Sequence, residues 1–426
     1  MSNDDSRPAS PRSSRFPSLP GLKAASSSPW WKWALLGIAL LGVGYFLGRA
    51  TTIASGASEA VSGRIKLRPG PWGDVAYLPI TIAAPRRLLR VQGVEDEKLE
   101  WYFPGMTRED LVSAFTQLGI SGKAYAKFTS PSVLSIHPQG VKLAPDCDAV
   151  GDLEPSARLG IYQILARYPE NNPLKWDFRE SYLDMFGKFN VSRATREKLE
   201  DVSARYGKFL ITYAMSCVLK STDSEDEKVG VMKALSQQPS MLVRLKVHPN
   251  SDVQALGSYW GRGLWSTDVE AILESLRMRP DGGSINILEL LPPLPASLLH
   301  SYPVPHNYLK GPEVIKNCSW TALNFFRDEP VAEFSDQNYM IKVLANDYVP
   351  VLSDPRYGDI ALFLTPDNQM RHVAVFLADD LYFTKNGDNP WHPWVYSTGA
   401  DLIENFSFGL PEGQSLVIRY FRSKNY

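Results

Sequence analysis

The sequence carries almost no net charge. Its 45 basic and 46 acidic side chains leave a formal charge of −1 over 426 residues. Because the two signs are interspersed along the chain, they build no field that would attract a polyanion. The composition therefore argues against a nucleic-acid partner.

The motifs of metal and phosphate chemistry are missing as well. The sequence contains no CxxC, no HExxH and no cluster of Cys and His, which are the usual patterns of zinc sites. It also contains no glycine-rich phosphate loop and no repeat of fixed period. We expect neither a metal nor a cofactor.

The N-terminus contains two segments of unlike composition. Residues 1–29 are rich in Ser, Pro and Arg and are expected to form a disordered tail. Residues 30–53 are apolar, with an uncharged core from Trp33 to Gly48 that would span about 24 Å as a helix. We predict a transmembrane helix, with a soluble core helix or a cleaved signal peptide as the alternatives.

The charges beside this segment predict its orientation. Five basic residues precede its uncharged core, and by the positive-inside rule they keep the tail in the cytoplasm: Arg7, Arg12, Arg15, Lys23 and Lys32. The main part of the chain is then periplasmic or extracellular, attached by a single pass to a bacterial-type inner (plasma) membrane. Gly44 and Gly48 have the spacing of a helix-pairing face, which indicates at most a weak homodimer.

Export makes the three cysteines informative, because disulfides persist outside the cytoplasm. Cys147 and Cys217 could pair and leave Cys318 as a free thiol. The alternative is that all three are reduced and buried.

The exported part divides into three regions of different pattern. Residues 64–150 read as a small α+β region with one capped helix, in which Thr107 and Asp110 form a capping box. Residues 151–290 have apolar side chains at three- and four-residue spacing and are predicted to be mainly helical. A Pro-rich junction leads to residues 300–426, where one helix precedes several strand-like runs, an α+β pattern.

Cys318 lies where the helix of this last region should begin. Asn317 is a favoured helix cap, so the thiol would lie in the first turn, where exposed amides favour a thiolate. A nucleophilic thiol needs a base, and His372 stands later at the head of a strand. A buried packing role is the alternative for both residues.

A third group would have to orient the imidazole, and the hairpin after His372 limits the candidates. If residues 378–380 form a three-residue loop, Asn386 lies opposite His372, with Thr384 diagonally on the same face. A two-residue loop would instead bring Lys385 near the ring, and an ammonium group accepts no proton. We predict Asn386 first and Thr384 second, while Asn386 before Gly387 is also an ordinary turn residue.

This series of residues resembles the NlpC-type cell-wall cysteine peptidases, a compact branch of the papain-like fold. Three features carry the resemblance, over about residues 312–390: Cys318 opening a helix, Gly358 and Asp359 leading a strand, and His372 heading the next. The resemblance implies a papain-like C-terminal domain with Cys318 as nucleophile and His372 as base. By simple count it places the third polar position on Thr384.

The sequence departs from the family at several positions. Asn317 stands where the family has Asp, Trp320 where it has Gly, and Thr384 where it has a third polar residue that is usually His. Trp320 would crowd the groove beside the nucleophile, and Trp391 would form a further aromatic wall.

The resemblance implies a membrane-anchored, exported cysteine hydrolase. Its substrate would be an amide bond in a peptidoglycan stem peptide or a similar peptide. The alternative is a non-catalytic cell-envelope protein that uses a degenerate papain-like domain for binding. Acyl transfer by the same Cys and His is a third option.

Overall fold

The computed structural model describes residues 64–89, 91–262, 266–303, 316–387, 392–411 and 413–425. The predicted tail and membrane span, residues 1–53, lie outside these ranges. Within them, no helix is both long enough and apolar enough to cross a bilayer.

The first part of the chain alternates short strands and helices. Its elements are β1 (Ile65–Lys66), β2 (Asp74–Ile82), α1 (Val91–Glu95), β3 (Trp101–Pro104), α2 (Arg108–Gln117), α3 (Gly122–Phe128), β4 (Leu134–His137), β5 (Gly140–Leu143) and α4 (Cys147–Gly151). The predicted capping box is confirmed, since the Thr107 side chain accepts from the Asp110 N–H and the Asp110 carboxylate accepts from the Thr107 N–H. Local sequence therefore determines where α2 begins.

The middle part contains both helices and strands. Its elements are α5 (Pro155–Leu165), β6 (Trp176–Arg179), α6 (Arg193–Asp201), β7 (Ala204–Tyr206), β8 (Phe209–Thr212), α7 (Met215–Lys220), α8 (Glu225–Leu235), β9 (Gln238–Val247), α9 (Val253–Trp260), α10 (Ser266–Arg277), β10 (Gly283–Asn286) and α11 (Pro293–Leu298). The prediction of a mainly helical region left out these strands. The longest of these strands is β9. Its side chains from Met241 to Val247 alternate between buried and exposed, a pattern that is typical of a strand.

The last part is the predicted helix followed by antiparallel strands. Its elements are α12 (Cys318–Leu323), α13 (Gln337–Asp347), β11 (Tyr348–Val351), β12 (Ile360–Leu364), β13 (Met370–Ala378), β14 (Leu381–Lys385), β15 (Trp394–Thr398), α14 (Gly399–Phe406) and β16 (Val417–Ser423). The six strands form one sheet in the order β11-β16-β12-β13-β14-β15, with antiparallel neighbours. The α+β class is confirmed.

A long-range strand pair divides the chain differently from the predicted boundaries. Strands β2 and β9 pair from Asp74 opposite Lys246 to Ile82 opposite Gln238, so residues 83–237 leave and return at one end of the pair. Most of the buried side chains in these residues form a core of their own, which we call the inserted core. Strands β2 and β9 instead share a second core with α12 and the large sheet. The predicted boundaries near residues 150 and 290 therefore do not coincide with the division between the two hydrophobic cores.

The inserted core contains a disulfide. Cys147 at the start of α4 bonds Cys217 in α7, across 70 residues of sequence, and Cys318 is free. The sequence left open whether Cys147 and Cys217 pair or all three cysteines are reduced, and the structure has the disulfide.

The two faces of the large sheet are covered by different helices. On β13, Val373, Val375 and Leu377 belong to the core that includes α12. Their neighbours Ala374 and Phe376 face the other way and pack with Leu402 of α14. Because side chains alternate along a strand, each position on β13 faces either α12 or α14.

Candidate functional site

His372 lies beside Thr384, the second of the two candidates for the group that orients the imidazole. The imidazole Nε2 lies 2.8 Å from the Thr384 hydroxyl oxygen, and both side chains are completely buried. The turn before β14 has two residues, because Ala378 pairs with Leu381, so the predicted three-residue loop was wrong. A register shift between Phe376 and Ala378 restores the predicted register, which is why Thr384 still shares a face with His372.

The surroundings of His372 are apolar. Its ring stacks on Phe406 of α14, with centroids 4.0 Å apart and an interplanar angle of 11°, and Phe363 lies 5.8 Å away. The Thr384 hydroxyl donates to the Val373 carbonyl, so the His372 Nε2–H is the donor to Thr384. Nδ1 then carries a lone pair, and no described residue hydrogen-bonds it.

This environment makes His372 a poor base. Burial lowers the pKa of the imidazole to about 3, because its charged form would lose its hydration and gain no acidic partner among the described residues. The ring is therefore neutral near pH 7 and holds a proton weakly. A general base works best with a pKa near the working pH, so this arrangement does not suit proton abstraction.

Cys318 lies on the other side of the sheet. It is half-buried in the first turn of α12, after Asn317, whose side chain accepts from the Trp320 N–H at 3.0 Å. The thiol packs against the core that contains Val373. Burial raises the pKa of the Cys318 thiol, and hydrogen bonds from the backbone of Val373 and from Ser319 act in the opposite direction with less effect.

The structure therefore does not bring Cys318 and His372 together. The Nε2 atom of His372 bonds Thr384, and the sulfur of Cys318 is not among the described hydrogen-bond partners of either ring nitrogen. The physical reason is strand alternation, which turns His372 toward α14 and its neighbour Val373 toward α12. The sequence placed the histidine at the head of a strand but could not specify its face.

Asn386, the first choice for the orienting group, does not contact the imidazole. It follows the end of β14, where its backbone oxygen lies 2.5 Å from Nδ1 of His392. Its side-chain oxygen is buried, and no described residue hydrogen-bonds it. Thr384, the second choice, takes the position beside His372.

The two tryptophans expected beside the nucleophile have different outcomes. Trp320 is only 2% exposed and packs in the core, 6.4 Å from the Trp394 ring, so it is not a groove wall. The Trp320 side chain lies inside the protein together with the rest of α12, whose residues from Ser319 to Leu323 are all buried. Trp391 lies outside the described residues.

A cavity of about 830 Å³ lies between the inserted core and the α14 face of the large sheet. We call it the central cavity. Its walls come from distant parts of the chain, including the segment from Lys175 to Arg179, the segment from Gln237 to Pro239, Arg371, Asn386 and the end of α14. Phe406 forms part of the wall, and its ring also stacks on the His372 ring.

Of the predicted site residues that the structure describes, Asn386 alone lines the central cavity. No short sequence pattern identified the remaining wall residues. They lie close together only because the pairing of β2 with β9 places residues 83–237 beside the sheet. Within the described ranges, no group of three or more His, Cys, Asp or Glu side chains could hold a metal ion.

No protein-family model, no curated protein and no solved structure matches this chain.

Proposed function

We propose that the protein is a non-catalytic binding protein of the cell envelope, and that a peptide or peptidoglycan-like fragment occupies the central cavity. The observation that carries this proposal is the cavity itself. Its volume of about 830 Å³ lies in the range of ligand pockets, about 300 to 1,000 Å³. Ligand sites also occur preferentially between two separately packed parts of a chain, as here between the inserted core and the large sheet.

The chemistry of the walls favours a peptide. Side-chain amides supply both donors and acceptors, which match the alternating N–H and C=O groups of a peptide backbone: Asn172, Gln237, Gln238 and Asn405. Aromatic rings beside them offer apolar surface for side chains: Phe178, Phe209, Phe406 and Phe408. The walls therefore place many polar and charged groups beside large apolar rings, which suits a peptide, because its backbone is polar and its side chains can be apolar.

Two observations support an exported location. The disulfide between Cys147 and Cys217 is of the kind that persists in oxidising compartments. The apolar segment at residues 30–53, with basic residues before it, is the pattern of a single-pass anchor with a cytoplasmic N-terminus.

The binding role is favoured over hydrolysis by the geometry around Cys318. An α-helix on an antiparallel sheet is consistent with the papain-like domain that the resemblance implies, but a dyad needs the sulfur within hydrogen-bond reach of the imidazole. For hydrolysis, the His372 ring would have to leave Thr384 and Phe406 and turn to the α12 face. We therefore treat the papain-like unit as a degenerate one.

The test uses disaccharide-peptide fragments released from cell wall. Calorimetric titration of the full-length protein should show binding, and mass spectrometry should show no cleavage product. Cys318→Ala should bind the fragments like wild type. Asn405→Trp should weaken binding by about tenfold or more, because the indole occupies the central cavity.

Ala400→Trp is the matched control. It adds the same indole to the same helix at an exposed position that does not line the cavity, and it should bind like wild type. Cleavage by wild type that disappears in Cys318→Ala would refute the non-catalytic role and favour the hydrolase. Binding that is unchanged in Asn405→Trp would place the ligand elsewhere.

A further inference from the structure

The charged side chains that line the central cavity fall into two classes. Lys175 pairs with Asp177 at 3.3 Å, and Arg179 pairs with Asp401 at 2.8 Å. These four charges are compensated within the protein. Arg371 and Glu97 line the same cavity, and neither has an ion pair or a side-chain hydrogen bond with any described residue.

Arg371 owes its position to an irregularity in the sheet. Between β12 and β13, Phe363 pairs with His372 and Leu364 pairs with Met370, so Arg371 has no partner on β12. A bulge of this kind redirects a side chain and is common next to binding sites. Here it occurs where β13 meets the wall of the cavity.

The guanidinium of Arg371 has a buried donor without a partner among the described residues. Its Nε is buried, and no described residue accepts a hydrogen bond from it. Burial lowers the pKa of Arg371, and Asp367 opposes this shift only by its charge, without an ion pair. A planar fork of unmatched donors in a cavity is complementary to a carboxylate, which accepts two parallel hydrogen bonds.

Glu97 presents the opposite charge from the inserted core. It follows α1 and is half-buried. Burial raises the pKa of its carboxyl to about 7, since no cation of the described residues compensates the desolvation. An ammonium group beside it would supply the missing partner.

We propose that the central cavity binds a zwitterionic ligand, a short peptide with free ends, whose carboxylate pairs with Arg371 and whose ammonium group pairs with Glu97. This inference rests on the proposed binding function and specifies its ligand. One recognition group comes from the large sheet and the other from the inserted core, so the ligand would bridge the two parts of the chain.

The experiment offers the full-length protein a library of random tripeptides in four forms: free at both ends, N-acetylated, C-amidated, and blocked at both ends. Retained peptides are quantified by ultrafiltration and mass spectrometry. Wild type should retain free peptides at least about tenfold better than either singly blocked form, because each blocked end removes one charge-assisted contact.

Variants assign each end of the ligand to its residue. Arg371→Met should lose the preference for a free carboxylate and keep the preference for a free amine, and Glu97→Gln should do the reverse. The matched controls are Arg419→Met, exposed on the same sheet, and Glu109→Gln, exposed on α2; both should behave like wild type.

The outcomes separate the two proposals. Equal retention of all four forms by wild type would overturn the zwitterionic ligand and leave a peptide-binding cavity. Retention of none of the forms would overturn peptide binding itself. The wild-type comparison needs no variant, so it stands even if Arg371→Met fails to fold.

Discussion

The buried imidazole of His372 should make the protein labile to mild acid. In the unfolded chain the ring has the ordinary pKa of 6.5, and in the folded chain burial lowers its pKa to about 3. Below pH 6.5 the unfolded state therefore binds a proton that the folded state does not bind. The free energy of unfolding should fall as the pH decreases from 6.5 toward 3, and the full contribution should be present above pH 6.5.

The magnitude follows from the pKa difference. One pKa unit corresponds to about 1.4 kcal/mol, so lowering the pH from 7 to 5, about 1.5 units below the unfolded pKa, should cost about 2 kcal/mol from this residue alone. The loss is this large because Phe406 and Phe363 enclose the ring, so that burial lowers the pKa of His372 without a compensating carboxylate among the described residues. Nearly all of this loss should be measurable as a decrease in the free energy of unfolding.

Urea denaturation at a series of pH values measures this effect. His372→Gln removes the titration and keeps a polar group beside Thr384, so the free energy of unfolding should change by about 2 kcal/mol less between pH 7 and pH 5 than in wild type. The control His137→Gln, at an exposed position of β4, should keep the wild-type slope. Equal slopes for wild type and His372→Gln would refute a neutral, buried ring.

Three further predictions concern the cysteines and a buried ion pair. Replacing Cys147 and Cys217 with Ser should lower the free energy of unfolding by about 4 kcal/mol in denaturant titrations, because the bridge closes a loop of 70 residues. Alkylation of Cys318 across a pH series should give a thiol pKa above the ordinary value; a lowered pKa would instead indicate an activated nucleophile. Asp359 is fully buried, with Arg422 at 2.6 Å, so Asp359→Asn should cost about 3 kcal/mol by thermal and chemical denaturation. A cost near zero would show that the ion pair contributes nothing.

Local structure was readable from the sequence wherever neighbours within a few residues determine it. Asn317 caps α12 because its side chain reaches the Trp320 N–H, and the capping box at Thr107 starts α2 in the same way. The sequence also offered Thr384 as the second candidate beside His372, conditional on a three-residue turn, since a hairpin register determines which positions share a face. The turn itself was shorter than expected, and a bulge compensated for it.

The site depends on contacts that no local pattern encodes. Whether His372 faces Cys318 or Phe406 depends on which helix covers each face of the sheet, and α12 and α14 are far apart in sequence. Strand β2 pairs along its whole length with β9, which begins at Gln238, after residues 83–237.

The sequence by itself determined the helix caps and indicated the antiparallel hairpin, but it did not determine the length of the hairpin turn. The tertiary structure alone decided that the cysteine and the histidine lie on opposite faces, and that a cavity forms where the inserted core returns to the sheet. The physical reason is that caps and hairpins are stabilised by near neighbours, whereas faces and cavities arise from packing between segments that meet only in the folded chain.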